Sequence, residues 1–377
     1  MMNTPDVVVL VPGFLGFARF GGFYYFADRV ASVLRGHLEE ALGYPVPVVP
    51  CTTLPTDPLS SRQRILLDSL RVLCTEKLSG VARIHLVGHS TGGVDAQLLG
   101  STTAIDGTPW SSTDEGVRKR IRSVMTISSP HYGTGLADSP VARWAEDPLR
   151  HPGALPAVGT ALIRLLALVP RDAAATAGLE LALPNDVLKF LWQVFNNRRL
   201  IHDLRPASME HLRSILSPDP AVSLTCFVTG TVPRHGTRPS DPLFVDLYEL
   251  TKTADGASQP SAVVGKCVRR LQAFLDAPCS PIVRGAQSEL PSLVDARLND
   301  GIVNSARQIL DPDEPSQIGA FVVADHADVL GHYDRMDEFV DGPPINAGLF
   351  HSGAGFGDGP FFELYRLVAR AILKAIR

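Results

Sequence analysis

The chain has 377 residues, of which 45% are hydrophobic and 20% are charged, and its formal net charge is −4. This composition is ordinary for globular protein, and it offers no basic surface of the kind that binds nucleic acid. No stretch approaches the about 18 to 20 apolar residues that a membrane span needs. We therefore expect a globular chain of one large or two average domains, with no nucleic-acid partner and no transmembrane segment.

The N-terminus runs straight from a short polar start into the apolar residues 7–11. It shows neither a basic leader nor a small-residue cleavage site, so we expect a first core strand and no signal peptide. The expected location is then the cytoplasm, unless a leader has been removed. The five cysteines lack CxxC spacing and are expected to be reduced thiols, with a Cys267–Cys279 bridge as the alternative.

Residues 6–11 are predicted to form the first strand, and Pro12-Gly13-Phe14-Leu15-Gly16-Phe17 follows it. A glycine-rich turn after a buried strand lets the backbone approach a ligand closely. Such a turn can also direct a backbone N–H at a developing negative charge, which makes Phe14 a candidate oxyanion donor. A plain strand-ending turn is the alternative interpretation.

Residues 19–42 begin with an aromatic cluster and continue at helical spacing, and the proline-rich residues 45–50 read as an edge strand. Residues 60–78 form a clear amphipathic pattern. The aromatic cluster fits either an acyl pocket or the core. Because strands and helices alternate along this part of the chain, we expect a parallel sheet with helices on both faces.

The segment Leu86-Val87-Gly88-His89-Ser90-Thr91-Gly92-Gly93 joins an apolar run to a helical pattern. Gly-x-Ser-x-Gly between a strand and a helix is typical of a nucleophile elbow, in which the serine lies on a sharp turn at a helix N-terminus. We predict Ser90 as a nucleophile and the backbone N–H of Thr91 as the second oxyanion donor.

Another strand is predicted over residues 124–129, and His131 at its end fits packing better than catalysis. From residue 138 to 216 the pattern becomes helical and lacks strands, which predicts a cap or lid inserted between core segments 1–137 and 217–377. Leu162 and Leu166 in this insertion face either an apolar substrate or the core. Residues 232–296 are a variable region, polar and loop-rich over 234–261 and helical over 263–275.

A serine nucleophile needs a base that is oriented by a carboxylate, in the chain order Ser, Asp or Glu, His. His326 follows a late strand over residues 319–323, and Asp300 lies in a glycine-containing turn before it. The residues alone leave other candidates open. The alternative acids are Asp295, Asp311 and Asp325, and the alternative bases are His202, His211, His235, His332 and His351.

Several short blocks resemble the bacterial true lipases and carboxylesterases of the α/β-hydrolase superfamily. They include the turn after the first strand, the aromatic cluster, the Gly-His-Ser-Thr-Gly elbow and Ser129-Pro130-His131-Tyr132-Gly133-Thr134. Later blocks are Asp203-Leu204-Arg205-Pro206-Ala207-Ser208-Met209, Asn299-Asp300-Gly301-Ile302-Val303-Asn304 and Asp325-His326-Ala327-Asp328-Val329-Leu330-Gly331. The resemblance implies an α/β-hydrolase fold with Ser90, Asp300 and His326 as the catalytic triad.

Two departures from these families stand out. Pro12 replaces the histidine that usually precedes the glycine of the oxyanion loop, so the hydrogen bond that steadies this loop needs a substitute. Some relatives bind Ca²⁺ through an aspartate at the position of Asp328, but the second carboxylate is not identifiable here, with Asp276 as a weak candidate. No set matches the Zn²⁺ site of other relatives. We therefore expect no cofactor, with calcium as the open alternative.

These features favour an ester hydrolase of the lipase or carboxylesterase type, with Leu15, His89, Leu162 and Leu166 contacting a small-molecule or lipid ester substrate. Interfacial contact with lipid aggregates is a further hypothesis. The alternatives are a depolymerase or amidase that uses the same triad on a polyester, urethane or amide. A protein of this fold that binds an apolar ligand without turnover is the other alternative.

Overall fold

The computed structural model describes residues 5–14, 16, 19–20, 23–77, 82–139, 142, 199–234, 240–256, 260–285, 288–290, 294–333 and 352–377. The strands are β1 (Asp6–Val11), β2 (Arg19–Phe20), β3 (Phe23–Tyr24), β4 (Val48–Pro50), β5 (Arg83–His89), β6 (Ile121–Ile127), β7 (Ser223–Thr229), β8 (Ile282–Val283) and β9 (Ile318–Val322). The α-helices are α1 (Asp28–Leu42), α2 (Leu59–Val72), α3 (Thr91–Leu99), α4 (Ser112–Arg118), α5 (Arg199–Asp203), α6 (Pro206–Ile215), α7 (Pro242–Gly256), α8 (Ala262–Asp276) and α9 (Asp358–Ile376).

Seven strands form one sheet in the order β4-β1-β5-β6-β7-β9-β8, and every neighbouring pair is parallel. β2 and β3 form a separate antiparallel hairpin. The predicted edge position of the proline-rich strand is confirmed, since β4 ends the sheet on one side. Because the strands are parallel, the loops that follow them converge at the carboxyl edge of the sheet, where sites in such folds gather.

Helices cover both faces of the sheet, as the alternation of strands and helices predicts. Val8 and Leu10 of β1 belong to an apolar cluster with α1 and α9, whereas Val7 and Val9 belong to a cluster with α2 and α3. The period of two along β1 explains this division, and burial on both sides explains why the strand is apolar from Val7 to Val11. All nine residues of α3 are buried.

The prediction that residues 234–261 are loop-rich is wrong for the stretch that forms α7. Phe244 is fully buried and Tyr248 nearly so. The side-chain amide of Asn299 donates to the Tyr248 carbonyl oxygen (3.2 Å), and the Thr251 hydroxyl donates to the Gly301 carbonyl oxygen (3.1 Å). The stretch thus has apolar residues, Phe244 and Tyr248, at helical spacing, and their burial together with the contacts to the loop around residue 300 stabilises the helix.

The predicted cap lies largely outside the described residues, which resume at α5. α5 and α6 pack on the core through Leu200, Leu204 and Met209, which cluster with Leu98 of α3. Asp203 Oδ2 accepts from the backbone N–H of Leu59 (2.9 Å) at the first turn of α2. The end of the predicted insertion is thus attached to the core.

Two further findings bear on the sequence expectations. All five cysteines are free, including the buried Cys267 and the exposed Cys279, so the alternative bridge is not formed. Within the described ranges, no helix has the length and apolar character to cross a membrane.

Candidate active site

Ser90 lies on the sharp turn between β5 and α3. Its backbone has φ 56° and ψ −132°, a region that residues with a side chain rarely adopt. The turn is held by a hydrogen bond from the Ser90 N–H to the Ile127 carbonyl oxygen of β6 (2.9 Å). The strained geometry is the one that a nucleophile elbow requires, with the serine at the N-terminus of a helix.

The glycines around Ser90 are required by close backbone approach. A Cβ on Gly92 would fall against the carbonyl oxygens of Val11 and Pro12, and a Cβ on Gly88 would fall against the backbone of Gly92 and Gly93. Only glycine lets β5, α3 and the turn after β1 approach each other this closely. The sequence pattern therefore has a steric cause in this fold.

His326 and Asp300 come together at the same edge of the sheet. Nδ1 of His326 lies 2.9 Å from Asp300 Oδ2, and the backbone N–H of His326 donates to the Asp300 carbonyl oxygen (2.9 Å). The His326 loop is thus attached to the Asp300 loop by both main chain and side chain. Since a carboxylate only accepts, the proton on a neutral His326 is placed on Nδ1, and Nε2 stays free to act as a base.

The Asp300 carboxylate is fully buried and well supplied with hydrogen-bond partners. Oδ1 accepts from the backbone N–H groups of Ile302 (3.0 Å) and Val303 (2.8 Å). Oδ2 lies 2.6 Å from the Thr229 hydroxyl and 3.2 Å from the Gln308 side-chain nitrogen. Such a set stabilises the ionised carboxylate and fixes its direction.

The alternative acids have other partners. Asp295 accepts from the backbone N–H groups of Arg297 and Leu298, and Asp311 accepts from that of Asp313. The Asp325 carboxylate accepts from three backbone N–H groups of its own and a neighbouring loop, and burial raises its pKa.

Of the alternative bases, His332 is bonded to backbone carbonyl oxygens at Tyr24 (2.8 Å) and Tyr25 (3.2 Å), and burial lowers its pKa. His202 and His211 lie on α5 and α6, while His235 and His351 are outside the described residues. His131 is buried between Gln97 Oε1 (2.7 Å) and the Thr126 hydroxyl (3.0 Å), which agrees with the expected packing role.

His89, the last residue of β5 and the direct neighbour of Ser90, contacts His326. The ring of His89 stacks on that of His326 with a centroid separation of 4.7 Å. Within the described part of the chain no hydrogen bond joins the Ser90 hydroxyl to His326. Catalytic hydrogen bonds often become short only when substrate is bound.

The backbone N–H groups of Phe14 and Thr91 have no hydrogen-bond partner among the described residues. Thr91 is buried and Phe14 is partly buried, and buried backbone donors are rarely left unpaired, so these N–H groups beside Ser90 are available to a ligand oxygen. A Cβ built on Gly13 would lie 2.8 Å from Ser90 Cβ, which shows how closely this loop approaches the serine.

Arg62 of α2 supports the loop that carries Phe14. Its Nη2 donates to the carbonyl oxygens of Pro12 (3.2 Å) and Gly13 (3.0 Å), and Nη1 donates to that of Leu54. The guanidinium pairs with Asp95 of α3, and both side chains are fully buried. Arg62 thus holds the backbone of this loop at Pro12 and Gly13, where Pro12 has no side-chain hydrogen-bonding group of its own. Sequence reasoning missed this residue, because an arginine on an amphipathic helix gives no local signal of burial.

The remaining predicted substrate contacts are only partly described. Leu15, Leu162 and Leu166 lie outside the described residues. His89 is 1% exposed, and both of its ring nitrogens face protein groups rather than an open pocket. A separate cavity of about 630 Å³ lies at the opposite, amino edge of the sheet and is not lined by Ser90 or His326.

The described residues contain no group of three or more His, Cys, Asp and Glu side chains that would hold a metal ion. Asp328, the calcium candidate, accepts from the backbone N–H of Asp325 through Oδ2 (3.1 Å), and Asp276 accepts from Gln272. These two carboxylates thus take part in local hydrogen bonds.

No protein-family model matches the chain, and no curated protein matches it in sequence. Among solved structures, EstA from Clostridium botulinum is similar at 20% identity and a TM-score of 0.50, over 88% of this chain and 84% of that one. Lipase 1 from Pelosinus fermentans shows 19% identity and a TM-score of 0.49, over 88% of this chain and 94% of that one. Staphylococcus hyicus lipase shows 16% identity and a TM-score of 0.48, over 99% and 96%.

The likeness to EstA concerns the fold. Together with the seven parallel strands and the helices on both sides, it confirms the predicted α/β-hydrolase fold.

Proposed function

We propose that this chain is a serine hydrolase that cleaves carboxylic esters, of the lipase or carboxylesterase type. The observation that carries the proposal is the Asp300–His326 pair at the sheet edge that also presents Ser90 in a strained turn. The backbone N–H groups of Phe14 and Thr91, which have no partner among the described residues, support the same assignment.

In the proposed mechanism His326 Nε2 removes the Ser90 proton as the hydroxyl oxygen attacks the ester carbonyl carbon. The carbonyl oxygen becomes an oxyanion that accepts from Phe14 N–H and Thr91 N–H. The intermediate collapses, and His326 gives its proton to the leaving alkoxide. Water, deprotonated by His326, then releases the acid from Ser90. Asp300 orients the ring and stabilises its charged form throughout.

The cap over residues 138–216 is proposed to cover this site, with Leu15, Leu162 and Leu166 against the acyl chain. The substrate is proposed to be a small-molecule or lipid ester, and contact with lipid aggregates is part of the same proposal. Activity that stays hyperbolic through the substrate's solubility limit would count against interfacial contact.

The test is hydrolysis of p-nitrophenyl esters from acetate to palmitate by the wild type and by Ser90→Ala, together with fluorophosphonate labelling. We expect labelling and activity in the wild type and only background in the variant. A maximum at long chains identifies a lipase, and activity confined to short chains identifies an esterase. Labelling without ester turnover would redirect the proposal to amides or polymers, and no labelling would indicate a ligand-binding protein.

A further inference from the structure

A chain of buried hydrogen bonds connects the loop after β1 to the loop after β9. The Tyr25 hydroxyl lies 2.7 Å from His89 Nδ1, and His89 Nε2 lies 2.8 Å from the backbone carbonyl oxygen of His326. The backbone N–H of Gly13 is hydrogen-bonded to the Tyr25 hydroxyl. Tyr25 and His89 are 5% and 1% exposed, so water does not replace these contacts.

The direction of each hydrogen bond follows from the acceptor at its end. A carbonyl oxygen only accepts, so His89 carries its proton on Nε2. In a neutral ring Nδ1 is then an acceptor, and the Tyr25 hydroxyl must donate to it. The same hydroxyl oxygen accepts from Gly13. The directions of these hydrogen bonds are consistent with each other when His89 is neutral.

A neutral His89 avoids charge repulsion with His326 during the proposed reaction. Catalysis places a positive charge on His326, whose ring stacks on His89 at a centroid separation of 4.7 Å. Burial holds the pKa of His89 well below its usual value, and the neighbouring His326 lowers it further, against the hydrogen bond to the His326 carbonyl. The titratable groups that face His89 are Tyr25 and His326, with Asp300 behind the latter.

We infer that Tyr25 and His89 are positioning residues. They fix the loop after β1, which contains Gly13 and Phe14 and is called the oxyanion loop, relative to the loop after β9, which contains His326. The inference rests on the proposed function. Gly13 directly precedes the proposed donor Phe14, and His89 directly precedes the proposed nucleophile. Tyr25 and His89 therefore connect the three proposed catalytic groups that act on the ester carbonyl, namely the oxyanion donor, the nucleophile and the base.

The first test is steady-state hydrolysis of a short p-nitrophenyl ester by Tyr25→Phe and His89→Leu in the full chain. Each is expected to lower kcat about 10- to 100-fold with KM little changed, because misplaced catalytic groups cost rate rather than binding. The double variant should be no worse than His89→Leu, since both changes break one path. His89→Gln should recover much of the rate, because its amide N–H reaches the His326 carbonyl.

The matched control is Tyr44→Phe. It also removes a tyrosine hydroxyl hydrogen bond, to Asp6 Oδ2 (2.5 Å), but at the amino edge of the sheet. Equal losses of kcat in Tyr25→Phe and Tyr44→Phe would overturn the inference, as would additive effects in the double variant. In Tyr25→Phe kcat should also fall at a higher pH than in the wild type. Without the hydroxyl donor His89 gains a proton more readily, and a charged His89 disfavours the proton transfer from Ser90 to His326.

A second measurement does not depend on turnover. Nitrogen NMR of ¹⁵N-histidine-labelled Ser90→Ala should show His89 as the neutral tautomer protonated on Nε2 from pH 5 to 8. When Tyr25→Phe is added to this variant, His89 should become charged at a higher pH. Charged or Nδ1-protonated His89 would overturn the inference. Absence of hydrolysis in the wild type would instead refute the proposed function, and the tautomer would still decide whether the path exists.

Discussion

Arg62 and Asp95 form an ion pair from which solvent is excluded: Nη2 lies 2.6 Å from Oδ2, and both side chains are 0% exposed. Burial raises the pKa of Asp95, and the guanidinium opposes that rise. Burying two charges is expensive unless their remaining hydrogen bonds are made. Here the guanidinium makes them with the backbone of the oxyanion loop, so the pair connects α3 to that loop.

Replacing Arg62 with methionine should lower both stability and activity. The variant leaves Asp95 buried without its partner, which should cost about 3–5 kcal/mol of unfolding free energy. The double variant Arg62→Met/Asp95→Leu should recover most of that stability, since no charge is left unpaired. It should not recover kcat, because the Pro12 and Gly13 carbonyl oxygens lack their donor. Urea unfolding and ester hydrolysis measure the two effects, and full recovery of kcat would refute the positioning role.

Asp300→Asn should reduce kcat roughly 10⁴-fold, as expected when the orienting carboxylate of a triad is replaced by an amide. An asparagine amide donates toward His326 Nδ1 and favours the tautomer that cannot act as a base. Asp295→Asn is the matched control, because that carboxylate caps a turn nearby without touching His326. Near-normal turnover by Asp300→Asn would move the role of acid elsewhere.

Gly13→Ala should abolish most activity while Gly36→Ala is harmless. A Cβ at Gly13 meets the Tyr25 hydroxyl and lies 2.8 Å from Ser90 Cβ, so the loop must shift. At Gly36, inside α1, a Cβ meets nothing within 4 Å. That substitution should raise the unfolding free energy by about 0.5–1 kcal/mol through helix propensity. Melting curves and kcat of the two variants separate strain at the site from general effects of alanine.

We expect the free energy of unfolding to decrease at acid pH because Asp6 becomes protonated. Burial alone would raise the pKa of this carboxyl, but hydrogen bonds from His85, Arg83 and Tyr44 outweigh it and hold the pKa well below its ordinary value. A depressed folded-state pKa stabilises the native state above the unfolded-state value, near 3.8, and this contribution is lost as pH falls through the folded pKa. Asp6→Asn should therefore be less stable at neutral pH and should show a flatter loss of stability below about pH 4. An unchanged acid limb in urea unfolding would contradict this.

Local patterns predict the central sheet well, because buried parallel strands have nearly continuous apolar runs. β1, β5, β6, β7 and β9 all lie where such runs occur. β8 has only two residues, and the β2–β3 hairpin has two residues in each strand, too few for any periodicity. These elements, like α7, depend on contacts with distant parts of the chain.

The residues of the candidate site also divide into those that a local sequence motif predicts and those that it does not. The elbow, the Asp300 turn and the His326 loop are contiguous motifs, and the structure places them at one edge. Other residues of the site contact groups that are far away in sequence, so no local sequence pattern predicts their role. They are Arg62, Tyr25, Thr229 and Gln308. Tyr25 is the partial exception, since the aromatic cluster drew attention to it as core or pocket.

The complete burial of α3 limits how this protein can change. Its two long polar side chains each have a dedicated partner, Arg62 for Asp95 and His131 for Gln97, so neither position is free to vary alone. A helix with no face toward water cannot acquire new contacts with substrate or lipid. If the proposed function holds, substitutions that change substrate choice are expected in the loops at the carboxyl edge of the sheet. A mutagenesis library for altered specificity would lose little by leaving residues 91–99 untouched.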